Sequence, residues 1–224
     1  MSIVDVAPEP APVKPRMRGW LHVWSFTVAV AAGITLIALA AATVSGEAAV
    51  AVAVYALTVW GVFGVSALYH RRTWATARSR TLMKRLDHSM IFIFIAGTYT
   101  PFAVLAMPPT TGTVVLAVVW TGAVGGVVLK FAWPHGPRWV GVPIYLALGW
   151  VAVFVIPDLL HVGGVAALVL LIVGGAFYSL GALCYALRRP HGWPATFGYH
   201  EFFHAATVVA AACHHVAIWL VLYA

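Results

Sequence analysis

Seven apolar segments account for most of the chain, at roughly 20–44, 48–69, 86–106, 112–132, 138–156, 163–187 and 200–222. Each is about as long as a helix that crosses the hydrocarbon of a bilayer. None alternates with the period of two that a barrel strand requires. Turn chemistry separates them: Ser45-Gly46-Glu47, Pro108-Pro109, the 133–137 run with its two prolines, Pro157-Asp158, and the 189–194 run with Pro190 and Pro194. The pattern predicts an all-α membrane protein, a seven-transmembrane helix bundle formed as one domain by residues 20–224. Residues 1–19 are rich in proline and charge and read as a disordered tail. The apolar run after them is too long for a signal-peptide core and lacks a small-residue cleavage pattern.

Composition removes the soluble alternatives. Only 8% of the residues are charged and 62% are hydrophobic, against about a quarter charged in a soluble domain. The net charge of +7 would suit a nucleic-acid partner, but its placement argues otherwise. All thirteen Lys and Arg residues fall before the first segment, between segments two and three, around the fourth connection, or around the sixth. With seven spans, all these places lie on one side, and the opposite loops carry only Glu47 and Asp158. The positive-inside rule then sets the N-terminus in the cytoplasm and the C-terminus outside, in a multi-pass plasma-membrane protein. The charge marks topology and attraction to anionic headgroups, and no nucleic acid is expected. Cys184 and Cys213 lie deep in apolar segments and read as core filler.

The chemistry-bearing residues gather at the basic ends of three segments. His70 closes the second, Asp87 opens the third, and His200 and His204 open the seventh within His200-Glu201-Phe202-Phe203-His204. That run fits the H-E-x-x-H pattern of a zinc metalloprotease. Residues four apart share a helix face about 6 Å from one another, which lets two imidazoles grip one ion. Ser66 stands one turn from His70 on the same face. Two histidines from segment seven and one from segment two make a three-nitrogen set, and three protein ligands with an open fourth position mark catalytic zinc. Asp87 reads as a partner for water, kept ionised by a helix N-terminus. His22, His135, His161 and His191 read as interfacial headgroup contacts. Hydrophilic residues inside the spans are expected at this end only, so no polar stripe lines a channel.

In order and spacing, Ser66-Ala67-Leu68-Tyr69-His70, Leu86-Asp87-His88-Ser89 with the 97–102 run GTYTPF, and the HEFFH run resemble the hemolysin III family. That family is the bacterial branch of the progestin and adipoQ receptor superfamily, related to alkaline ceramidases. The resemblance covers the chain after residue 19. It implies a seven-helix bundle with an intramembrane Zn²⁺ on His70, His200 and His204, and with Ser66 and Asp87 as catalytic residues beside it. It further implies ceramidase-like hydrolysis of lipid amides or esters at the inner leaflet and a role in membrane-lipid homeostasis. The family name records cytolysis, which these residues do not explain. Receptor members carry a non-acidic residue where this chain has Glu201, so Glu201 stays open as an alternative base. Two other readings stand beside the lipid hydrolase. One is a zinc-stabilised sensor, channel or cytolysin without turnover; the other is an intramembrane metalloprotease with Asp87 as third ligand.

Overall fold

The computed structural model describes residues 14–133, 136–190, 192–193 and 195–224, with the backbone alone at Arg138. The expectations placed on residues 1–13, His135 and His191 lie outside the described residues. The described chain is helical apart from one isolated bridge between Trp193 and Phe197. Helices α1 (Trp20–Thr43), α2 (Gly46–Arg71), α3 (Ala77–Ala106) and α4 (Pro109–Ala132) come first. A short α5 (Arg138–Gly149), a 3-10 segment (Trp150–Val155), α6 (Ile156–Leu187) and α7 (Tyr199–Leu222) complete the chain. Consecutive helices pack against each other from α1 to α4, and α7 lies on α6 while also touching α1 and α3.

Six helical stretches are long and apolar enough to cross a membrane, where the hydrophobic pattern counted seven segments. The difference lies in one stretch of 49 residues, Trp139–Leu187. Pro157, expected in a turn, sits in the first turn of α6, where its missing N–H is no loss. The break falls later, at Gly164, whose φ of 69° and ψ of −177° are not helical. The chain folds back there. Trp150 Nε1 donates to Ser179 Oγ at 3.1 Å, although the two are 29 residues apart and would stand about 44 Å apart on a straight helix.

Gly164 has a conformation that is close to glycine-only, and an added Cβ would meet nothing within 4 Å. Gly164→Ala therefore isolates the backbone cost, expected at about 1–3 kcal/mol. Thermal unfolding in detergent should show a lowered Tm for it and none for Gly175→Ala, which also faces open space but without a positive φ. Equal Tm values for the two variants would mean the bend is not held at Gly164.

The exterior is apolar as well as the core, unlike that of a water-soluble bundle. Leu36, Val52, Phe92, Val119 and Ile218 are wholly inside, while Trp24, Val28, Phe154 and Val165 face outward. An apolar exterior needs lipid as its solvent, and buried hydroxyls must then find partners within the helix. Thr98, Thr100 and Thr207 do so, donating to the carbonyls of Phe94, Ala96 and Phe203. Cys184 and Cys213 are free and partly buried, as expected of filler.

Three expectations are corrected. First, α3 begins at Ala77, capped by the Thr76 hydroxyl accepting from Ser79 N at 3.1 Å. Asp87 therefore lies about 15 Å along α3, beyond the first-turn reach of the helix-end charge. Second, residues 14–19 are docked rather than part of a free tail. Arg16 N and Met17 N donate to the carbonyls of Ala195 and Thr196 at 3.0 and 3.1 Å. Third, polar groups are not confined to one end. About 16 Å along α7 from His204, His215 Nδ1 meets Tyr55 OH at 3.3 Å and His215 Nε2 accepts from Trp219 Nε1 at 3.0 Å. His214 Nε2 lies 3.2 Å from Leu171 O, with its ring packed on Tyr178.

Candidate metal centre

The last turn of α2 and the first two turns of α7 meet at the basic end of the bundle, carrying His70 on one side and His200 and His204 on the other. The start of α7 is fixed locally. Glu201 Oε2 accepts the Gly198 N–H at 2.8 Å, satisfying one of the donors that a helix N-terminus leaves open. One turn then separates His200 from His204, so both rings face α2. His70 and His204 are buried, and His200 is partly so.

Nitrogen atoms of all three histidines lie within 4.8 Å of one another. The Nε2 atoms of His70 and His200 are 3.2 Å apart. In a tetrahedral zinc site with bonds of about 2.0–2.1 Å, two ligand nitrogens stand about 3.4 Å apart. The donor set therefore fits a divalent ion such as zinc without a helix having to move. Asp87 Oδ2 lies 3.8 Å from His70 Nε2 and 3.9 Å from His88 Nδ1. The buried Ser66 side chain interacts with the Asp87 carboxylate. Ser66, His70, Asp87, His200 and His204 thus all come together, lining a cavity of about 1800 Å³ at the basic end. Its inner wall is apolar, with Val62, Ile91 and Val142.

Two residues have roles that differ from their expected ones. Glu201 does not line this cavity; it is 1% exposed, paired with Arg18 and holding the Gly198 N–H. Each of its oxygens has a structural partner, Arg18 on Oε1 and the Gly198 N–H on Oε2. His22, expected at the headgroups, is buried and stacks on His204 with centroids 3.9 Å apart and planes 4° from parallel. Phe63 also packs against it, with ring centroids 5.1 Å apart. His22 packs on the ring of His204 and stands outside the group of three histidines that could hold a metal ion. His161 is exposed, in keeping with an interfacial contact.

The docked segment 14–19 closes one side of the centre. Lys14 Nζ donates to His70 O at 2.5 Å, and its ammonium is pushed below its usual pKa by burial and by Arg71, Arg18 and Arg80. Gly19 has a φ of 85°, and a Cβ there would come within 2.6 Å of His70 Cβ. Only glycine lets the chain turn into α1 so close to His70. Of these features, only the charge of Lys14, Arg16 and Arg18 was visible in sequence.

The model of the family described as Haemolysin-III related matches residues 11–215. The hemolysin-3 homolog of Bacillus subtilis is 32% identical over half of this chain and 53% of its own length. Hemolysin-3 of Bacillus cereus is 31% identical, over 65% of each chain. The human monocyte to macrophage differentiation factor is 27% identical over 76% of this chain and 69% of its own. The chain thus spans between half and two thirds of the length of these two bacterial relatives.

Proposed function

The chain belongs to the hemolysin III family, and from that premise we propose that it is a zinc-dependent hydrolase of membrane-lipid amides or esters. The observation that carries the reading is the meeting of three histidine nitrogens, Asp87 and Ser66 inside one large, partly apolar cavity at a helix-bundle end. His70, His200 and His204 would hold the ion. When bound, it supplies Lewis acidity, acidifying water towards neutral pH and polarising a carbonyl.

The chain's own residues supply the rest. Asp87 Oδ2 orients the attacking water and takes its proton. It returns that proton to the departing amine or alkoxide as the C–N or C–O bond breaks. Ser66 holds the carboxylate from the neighbouring helix. The acyl chain lies along Val62, Ile91 and Val142, and the scissile bond sits at the polar–apolar boundary where the histidines stand.

The reading includes topology. The fold-back at Gly164 supports two crossings within Trp139–Leu187 and hence seven in all, with the basic end cytoplasmic by the positive-inside rule. Accessibility tags in the 72–76 connection should report cytoplasm and tags after Ala224 the outside. A cytoplasmic C-terminus would put the centre at the wrong leaflet.

Turnover is tested with purified, zinc-loaded protein against ceramide and phospholipids, alongside lipid profiles of expressing cells. Asp87→Asn is expected to keep stoichiometric zinc and to lose about 10²–10⁴-fold in rate, the usual worth of a general base. If loaded wild-type protein cleaves none of these lipids and leaves cellular profiles unchanged, the enzyme gives way to a zinc-stabilised sensor.

A further inference from the structure

The cavity mouth is ringed by cations that have no carboxylate partner among the described residues. Arg72, Arg80, Lys84, Arg85, Lys130 and Arg188 line it in addition to Lys14 and Arg18. Of the six acidic residues in the chain, Asp5 and Glu9 lie outside the described residues. Glu47 and Asp158 open α2 and α6 at the opposite end. Glu201 is bound to Arg18, and Asp87 faces the histidines. Among the described residues no carboxylate lies within salt-bridge distance of any of the six cations.

A topological signal requires basic residues at this end but not around this opening. Arg78 and Arg189 serve topology equally and do not line it. Arg85 adds a second observation: its Nε is buried without a hydrogen-bond partner. A buried guanidinium N–H without an acceptor is costly, and a phosphate oxygen is the acceptor whose geometry suits it. Basic pockets between membrane helices at the cytoplasmic side are suited to lipid phosphate headgroups.

We propose that the cavity recognises an amphiphile with a phosphate-bearing headgroup, held by Arg85 and the cations around it while its acyl chains follow the apolar wall towards the histidines. This rests on the lipid-hydrolase reading and specifies its substrate class: an anionic phospholipid in preference to a neutral ceramide.

The test is binding, which needs no turnover. Zinc-loaded protein in phosphatidylcholine nanodiscs is titrated with dansyl-labelled phosphatidylglycerol, phosphatidylcholine or ceramide, read by energy transfer from the tryptophans, of which Trp74, Trp133 and Trp139 line the cavity. Phosphatidylglycerol is expected to saturate at a mole fraction at least about fivefold lower than the other two. Arg85→Gln and Lys84→Gln should each weaken it by about fivefold, the worth of one basic residue near a headgroup. Both should leave ceramide binding and zinc content unchanged, and Arg78→Gln and Arg189→Gln should change nothing. Equal affinities for the three lipids would overturn the proposal, as would equal losses in lining and non-lining variants. Displacement of the lipid by millimolar inorganic phosphate would also overturn it, because the site would then hold free phosphate. The same nanodiscs, assayed for cleavage, separate the two claims. Selective binding without cleavage keeps the headgroup recognition and removes the hydrolase. Cleavage of ceramide with no preference for phosphatidylglycerol does the reverse.

Discussion

His204→Ala protein, purified in detergent, is expected to carry less than about a tenth of the wild-type zinc, because a three-nitrogen site has no spare ligand. His204 is buried, and its ligand nitrogen lies within 4.8 Å of those of His70 and His200. Two imidazoles with water hold a divalent ion far more weakly than three. His70→Ala should behave alike, since His70 is the only ligand brought by α2. The informative contrast is His22→Phe. That variant keeps an aromatic ring against His204 and offers no nitrogen, so near-stoichiometric zinc is expected. Metal analysis of the four proteins decides the assignment. Full zinc in His204→Ala would remove His204 from the set, and loss of zinc in His22→Phe would make His22 a ligand.

Arg18→Met should be among the most destabilising single changes in the chain. Among the described residues Arg18 is the only cation paired with Glu201, which is almost wholly buried. Removing one partner of a buried pair leaves an unpaired charge and costs about 3–5 kcal/mol. The partial exposure of Arg18, 21%, places the expected loss at about the lower end of that range. Adding Glu201→Gln should restore much of it, because a neutral amide still has an oxygen for the Gly198 N–H. Thermal unfolding of the two single variants and the double variant closes a mutant cycle. Additive losses would show that the pair is uncoupled and that residues 14–19 are held by their backbone bonds alone.

What was legible in the sequence is what periodicity and charge encode. Spacing of four placed His200 and His204 on one face, and segment ends placed His70 at the same level. The run of Lys and Arg residues marked which end of the bundle they share. The 1.5 Å rise of a helix turns such counts into positions, so the ligand set could be assembled without coordinates. The remainder depended on partners distant in sequence. Glu201 stood open as an alternative base because H-E-x-x-H is a local motif, and its pairing with Arg18 lies 183 residues away in sequence. His22 looked interfacial because a lone histidine in the first turn of a span carries no signal of the ring it will stack upon. Residues 77–85 are charged enough to end an apolar segment, yet helix propensity and the Thr76 cap extend α3 through them. The 138–187 region misled for the opposite reason. Pro157 is a turn signal and also a good first-turn residue, and only the backbone at Gly164 shows where the chain reverses.

The Tyr55–His215–Trp219 layer has an electrical consequence. An indole N–H can only donate, so Nε2 of His215 must accept from Trp219 and the imidazole's own proton resides on Nδ1, towards Tyr55. That fixes the order of donors and acceptors in a single direction. A proton moving through this layer would first have to break the indole bond, and the ring would have to give up its tautomer. Tyr55, His215 and Trp219 therefore form no ready proton relay along the bundle at this level.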